Sequence, residues 1–428
     1  MRLHATRRAA IAQGRGLGNP LWDLAGVPAS LDQRFAESKS LVDAVSGQNL
    51  ITFTRASTGT FVDSDGVIRS AGNDVASFEH HPTTGECLGL LPEEQRQNLL
   101  VRSEEFDNAS WVKINASASA NATTAPDGLT TADKIVENTA ANVVHIAANE
   151  TASVVSGTAY TLSVFLKAAE RSWVFVLGSG TPFGTNGFYV NLATGALGSV
   201  TGTPSNVTVQ ARANGWYRVS MTLTAGSSGS AGLQVRPATG DGGQSYTGDG
   251  ASGLFLWGAQ LEAGSFPTSY IPTTGTAATR TASLADVINQ AIANNIRTLF
   301  LEFRSPASGT RGVVSLNDNT ANERAAVITS GTDPRLVVHD GGVEQANING
   351  GTVTANQRTR IAVRINANDF AISINGGTVV TDTSGTLPTV DRLMLGRTQA
   401  GEYLNAPLAR VTGWTQLLPD STLQELAR

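Results

Sequence analysis

The chain has 428 residues, 30 of them Lys or Arg and 35 Asp or Glu, for a formal net charge of -5. At roughly 100–200 residues per domain this length allows two to four domains. The missing basic excess argues against nucleic-acid binding by bulk charge; one cysteine excludes a disulfide scaffold; no run of about 18 apolar residues spans a membrane as a helix; and 40% hydrophobic residues exclude disorder.

Only 15% of residues are charged, against about 25% in an average soluble protein, and Gly reaches 45. Thr, Ser, Asn, Gly and Val fill much of the rest, and all are poor helix formers. The composition therefore predicts an all-β chain built from tandem β-sandwich or jelly-roll domains, preceded by an irregular N-terminal segment.

Residues 1–30 form that segment. Arg2, Arg7, Arg8 and Arg15 make it basic, while Gly14, Gly16, Gly18, Pro20, Gly26 and Pro28 interrupt any regular element. The apolar stretch Ala9-Ala10-Ile11-Ala12 stops at Gln13, short of the about 7–15 residues of a secretory signal. Two readings stay open. The segment is either a floppy terminus or a docking peg, with Arg7, Arg8, Arg15, Leu21 and Trp22 as its anchoring residues.

Residues 31–105 read as a small β-rich module. Residues 50–55 alternate as a strand, and Thr60-Phe61-Val62 and Val67-Ile68-Arg69 flank Asp63-Ser64-Asp65-Gly66, a hairpin with an Asp-Gly turn. The stretch 88–100 is apolar around a short acidic centre that suits a helix. Residues 106–283 carry regularly spaced alternating strands at 143–147, 159–168, 173–177, 187–192, 215–223 and 253–262. Such spacing predicts a sandwich or jelly roll, with one row of each strand in the core and the other in water. Residues 284–428 form a second sandwich, with strands at 297–304, 311–316, 335–339, 360–365, 370–375, 392–397 and 409–415. Residues 285–296 are a short helix or linker. A final helix follows Pro419, with Asp420 or Ser421 as N-cap. No internal repeat appears.

The run Phe53-Thr54-Arg55-Ala56-Ser57-Thr58-Gly59-Thr60-Phe61-Val62-Asp63-Ser64-Asp65-Gly66 continues through His81-Pro82-Thr83-Thr84-Gly85-Glu86, Gly89-Leu90-Leu91-Pro92-Glu93-Glu94, Arg96-Gln97-Asn98-Leu99 and Ser103-Glu104-Glu105-Phe106. On these residues the chain resembles a module that recurs in bacteriophage virion proteins. The next block, through Ala125-Pro126-Asp127-Gly128, Gly215-Trp216-Tyr217-Arg218 and Trp257-Gly258-Ala259-Gln260-Leu261-Glu262, resembles a carbohydrate-binding-module-like jelly roll. The last block, through Tyr403-Leu404-Asn405 and Ala409-Arg410-Val411, is similar to concanavalin-like or laminin-G-like sandwiches. The resemblance implies a non-enzymatic structural protein of the virion: a tail fibre or receptor-binding adhesin contacting host glycans. The alternative is a capsid decoration or head fibre held by its N-terminus. It implies assembly in the host cytoplasm, exposure on the particle exterior, other virion proteins as partners and a homo-oligomer, commonly a trimer. No nucleic acid and no membrane insertion are expected.

Candidate chemistry is sparse. His80 and His81 beside Glu79 and Glu86 have metal-binding atoms, but adjacent side chains on a strand point apart. Cys87 has no His and Asn setting and reads as a small buried hydrophobe. Asp63 to Gly66 resembles the start of a calcium loop without its downstream Glu, and a hairpin turn accounts for it. No cofactor is expected; the jelly-roll resemblance leaves room for a structural calcium on Asp127, Asp133, Glu137 or Asp249. Sugar binding wants an exposed aromatic beside polar groups. Most aromatics lie in alternating strands and read as core. Tyr246 in its Gly-rich loop with Asp249, and the polar loop carrying Asn317, Asn319, Glu323 and Arg324, are the glycan-contact candidates. No paired carboxylates on a β-helix, the usual depolymerase arrangement, are visible.

Overall fold

The structure, a computed structural model, describes residues 20–306 and 309–428. Arg7, Arg8 and Arg15 lie outside the described residues. Strands hold about 48% of the described residues and helices 6%, and the sheets are antiparallel β-sandwiches. The chain forms two compact units. One contains residues 56–86 and 95–282; the other contains the described residues up to Arg55 with 87–94 and 283–428. The stretch 31–105 is thereby divided between the units.

The first unit is the jelly roll. One six-stranded sheet runs Ser205–Ala211, Tyr217–Thr224, Ala159–Ala168, Gly253–Ala263, Ala132–Glu137, Ala116–Thr123. The facing sheet runs Ala196–Thr201, Gly187–Asn191, Trp173–Ser179, Gly229–Ala238, Ile146–Val154, Val112–Ile114. The period of two decides which side chains enter the core. In Ala159–Ala168, Leu162, Val164 and Leu166 join the central cluster, while Phe165 joins Trp216, Trp257 and Tyr270 on the opposite face.

The expected wet outer row is corrected there. Thr161, Ser163, Ser220 and Thr222 are all buried. The segment after Gly253–Ala263 meets two of them: the Thr161 hydroxyl donates to the Gly264 carbonyl at 2.8 Å and Thr222 to the Ser265 carbonyl at 3.0 Å, while Ser163 accepts from Arg218 and Ser220 shares a hydrogen bond with Thr208. A polar row is tolerated under cover because its hydroxyls find partners.

The Asp63–Gly66 hairpin forms as expected. Gly59–Val62 pairs with Ile68–Ala71, and Gly66 turns with φ +76°. The Asp63 carboxylate accepts the backbone N–H of Asp65 and Val67 and pairs with Arg69 at 2.7 Å. It is a turn-forming carboxylate.

The second unit is a sandwich of two larger sheets. One carries Val380–Asp382, Asp369–Ile374, Arg358–Asn366, Thr298–Arg304 and Leu408–Trp414 in that order, with Leu31–Gln33 and Cys87–Leu90 both pairing with Leu408–Trp414. The other runs Thr52–Thr54, Leu284–Val287, Arg392–Leu395, Thr310–Asn317, Arg324–Ser330, Asp333–Asp340, Val343–Asn349. Leu299, Leu301, Ile361, Val363 and Val411 are fully or almost fully buried. On the opposite face of the first sheet, Phe300, Ala362 and Trp414 pack under the C-terminal helix Asp420–Leu426 through Leu423 and Leu426.

Three local expectations change. The acidic stretch after Cys87–Leu90 is not helical. Residues 285–296 split into the strand Leu284–Val287 and one turn, Gln290–Ala293, whose N-cap Asn289 accepts the Ile292 N–H. The last helix starts at Asp420 with Pro419 in the cap position and no side-chain cap; the Asp420 carboxylate is held instead by Arg364 at 2.6 Å.

Candidate functional site

In the jelly roll, the end of Ala132–Glu137 brings together two of the sequence candidates. Glu137 has a fully buried side chain. It accepts two hydrogen bonds from Arg171, at 2.9 and 2.5 Å, the Tyr246 hydroxyl at 2.7 Å and the Asp249 N–H at 3.0 Å. Burial pushes its carboxyl up, but those donors together outweigh burial and hold it below the usual range. Tyr246 is buried, and burial and then Glu137 push its hydroxyl up. Arg171 stacks 5.1 Å from the Tyr246 ring centre, and His145 lies 4.7 Å from it on the other contact. Tyr246 is therefore not the exposed platform its Gly-rich loop suggested. Asp249 keeps an exposed side chain, but its oxygens accept the N–H groups of Ala251 and Ser252 and the Ser252 hydroxyl. The constellation is a closed ion-pair knot that pins the loop to the sandwich.

The metal candidates are likewise occupied. His80 is buried with Nδ1 3.0 Å from the Val62 carbonyl, and Glu79 accepts the Val62 N–H at 3.0 Å. His81 Nδ1 accepts the N–H groups of Thr83 and Thr84 in its own turn. Asp133 accepts the N–H groups of Asp107 and Asn121, and Asp127 that of Leu129. Among the described residues no three His, Cys, Asp or Glu side chains converge on one ion position. The carboxylates offered for calcium do not fit a common site.

Aromatics follow the core expectation in part. Trp111, Trp216, Trp257 and Trp414 are buried to 1% exposure or less. Phe175 and Tyr189 stack on the outer face of the second jelly-roll sheet, with centroids 4.4 Å apart, and Trp173 packs half-buried beside them.

In the second unit, the loop between Thr310–Asn317 and Arg324–Ser330 carries the other candidates. Asn317 is fully buried: its amide donates to the Ser315 carbonyl at 2.9 Å and its oxygen accepts the Asn319 N–H at 2.8 Å. Asn319 is exposed at φ +73°, a turn position. Glu323 accepts the N–H of Gly341 at 2.7 Å and of Thr389 at 3.1 Å. Arg324 approaches His339 at 3.4 Å; burial, then Arg324, pushes that imidazole below its usual value.

Glu323 thus fixes one wall of a cleft of about 220 Å³. The cleft opens at one end of the sandwich, between the two sheets. Its lining mixes the apolar residues Ile296, Leu316, Ala325, Ile365 and Val390 with the polar residues Asn294, Arg297 and Thr389. The Arg297 guanidinium is steered by the carbonyls of Asn294 and Ile296, at 2.9 and 3.0 Å. Asn317, Asn319, Glu323 and Arg324, the candidates of that loop, do not line the cleft themselves, and sequence reasoning did not single out Asn294, Arg297 and Thr389, which do. Arg297 opens a recognisable strand; its place opposite residues 387–390 depends on tertiary packing.

No family model matches the sequence, and no curated protein matches it. Among solved structures the chain is similar to the CBM40 domain of the Ruminococcus gnavus IT-sialidase bound to α2,3-sialyllactose, at 12% identity over 31% of this chain and 82% of that chain, with a TM-score of 0.27. It is similar to domain 4 of AbnA, a GH43 extracellular arabinanase from Geobacillus stearothermophilus in complex with arabinotriose, at 16% identity over 38% and 82%, with a TM-score of 0.26. It is also similar to domains LG4-5 of the mouse laminin α1 chain, at 9% identity over 64% and 85%, with a TM-score of 0.24.

Proposed function

We propose that the protein is a non-enzymatic glycan-binding protein of a bacteriophage virion, acting as a tail fibre or receptor-binding adhesin. The observation that carries the glycan reading is the cleft at the end of the second sandwich. A sugar ring has apolar C–H faces and a polar hydroxyl edge. A lining that combines apolar surface with a few polar groups suits that pattern. Asn294, Arg297 and Thr389 supply polar groups in the same lining as Ile296, Leu316 and Val390. The virion reading is supported by the sequence resemblance of residues 31–106. The non-catalytic reading is supported by the engagement of Glu137, Asp249 and Glu323 in hydrogen bonds that hold their own loops in place.

The test is binding of the intact protein to host envelope polysaccharide by calorimetry, with Arg297→Ala and the cleft-filling Leu387→Trp compared. Loss of one charged hydrogen-bonding group is expected to weaken binding by at least about tenfold. Unchanged binding by both variants would move the glycan site elsewhere. Immunogold labelling of intact virions tests the tail location, and label around the head shell would overturn it.

A further inference from the structure

The face of the second sandwich that carries the C-terminal helix also carries a row of arginines. Thr298–Arg304 pairs with Arg358–Asn366 in a register that sets Arg304 opposite Arg358 and Glu302 opposite Arg360. On its other side Glu302 stands opposite Arg410. Alternation puts all these side chains on one face, away from buried Leu301 and Phe303.

The pairing is incomplete by charge. One carboxylate, Glu302, serves both Arg358 at 2.7 Å and Arg360 at 2.9 Å. Another, Asp32, serves both Arg34 at 2.8 Å and Arg410 at 2.7 Å. Among the described residues Arg304 meets no carboxylate: its guanidinium donates to the Asn356 carbonyl at 2.8 Å. Glu302 is thus divided between Arg358 and Arg360, Arg360 also donates to the Arg428 main-chain oxygen at 2.7 Å, and Arg304 meets a neutral carbonyl, in a chain of net charge -5. Like charges directly opposite on a sheet are destabilising. A guanidinium has five donors, and among the described residues most of those of Arg304 and Arg358 are uncommitted, with the Arg358 side chain 56% exposed. An anion seated between the two would relieve the repulsion and take charge-assisted hydrogen bonds from both.

We propose that Arg304, Arg358 and Arg360 form an anion-binding strip for an acidic polysaccharide, separate from the cleft that holds Arg297. The chemistry it recognises is a repeating carboxylate or sulfate on a sugar chain. A row set along neighbouring strands suits an extended polymer, and it continues towards Arg410 and Arg34, which Asp32 holds.

The experiment is retention of the intact protein on immobilised polygalacturonate and on heparin in rising NaCl, which separates carboxylate from sulfate. The wild-type protein is expected to bind at low salt on at least one and to elute as salt screens the contact. Arg304→Ser, which removes one carbonyl contact from the fold, and the Arg304→Ser/Arg358→Ser pair should weaken binding by at least about tenfold for the pair. Melting curves check that both variants remain folded, and Arg335→Ser on the opposite sheet should bind as wild type. The cleft variant Arg297→Ala should leave polyanion retention unchanged, so failure here and failure of the cleft reading are distinguishable. No retention of the wild-type protein on either matrix would overturn the proposal. So would equal retention of the double variant, or duplex DNA displacing the protein at lower concentration than either polysaccharide.

Discussion

Glu137 and Asp32 are carboxylates placed where an unpaired charge would be most unfavourable. Each has a fully buried side chain and is held by guanidinium and other donors: Arg171 and Tyr246 for Glu137, Arg34, Arg410 and Thr412 for Asp32. Burial raises both carboxyls, and the donors more than reverse it, so both titrate below their ordinary values of 4.5 and 3.8. A group with a depressed folded value contributes stability that is present above its unfolded value and lost as pH falls through the folded one. Acid unfolding should therefore begin below about pH 4.5 and steepen downward. Glu137→Gln keeps the shape and removes the charge, leaving Arg171 without its buried partner. Its melting temperature at neutral pH should fall, by the equivalent of about 3–5 kcal/mol for a broken buried pair. The gap to wild type should narrow as pH is lowered. Differential scanning calorimetry from neutral to acidic pH reads both effects, and a gap independent of pH would show that the carboxylate charge is not what stabilises the loop.

At the scale of single elements, the turns were the most legible part of the sequence and the outer strand rows the least. Asp63-Ser64-Asp65-Gly66 announced its hairpin because a positive φ is needed there and glycine supplies it without strain. The buried hydroxyl rows of Thr161 and Thr222 were not legible, because what covers them lies a hundred and more residues away for Thr161 and some forty for Thr222. Tyr246 was misplaced for the same reason: its Gly-rich surroundings read as an exposed loop, while its partner Glu137 stands 109 residues earlier. Gly66 allows a direct test of how local such a turn is. A Cβ there would meet the Pro82 carbonyl oxygen at 2.4 Å and Ala213 Cβ at 2.9 Å, whereas Gly157, at nearly the same φ of +78°, has nothing within 4 Å. Gly157→Ala should cost only the conformational penalty of about 1–2 kcal/mol. Gly66→Ala should cost about 1–3 kcal/mol more for the forced shift. Equal melting temperatures for the two variants would mean that the hairpin moves away from Pro82 without penalty.

Over the whole molecule, the all-β class followed from composition and period, while the way the chain is shared between its two units did not. The second sandwich takes strands from three separated stretches. Leu31–Gln33 sits on Leu408–Trp414 with Leu31 opposite Gly413, Asp32 opposite Thr412 and Gln33 opposite Val411. Thr52–Thr54 extends the other sheet from Leu284–Val287. Sequence separations of this size leave no local periodicity to read, and long-range pairing carries a loop-closure cost that the local pattern does not reveal. The consequence is measurable. A fragment of residues 284–428 contains most strands of the sandwich, yet it lacks Asp32, so Arg410 and Thr412 lose their buried acceptor. It also exposes the Leu408–Trp414 edge to water and to other chains. Circular dichroism and sedimentation should show this fragment aggregating or melting far below the intact protein, and addition of a peptide covering residues 29–55 should restore part of the loss. A fragment 284–428 that is monomeric and melts with the intact protein would show that residues 31–54 decorate a sandwich already complete without them.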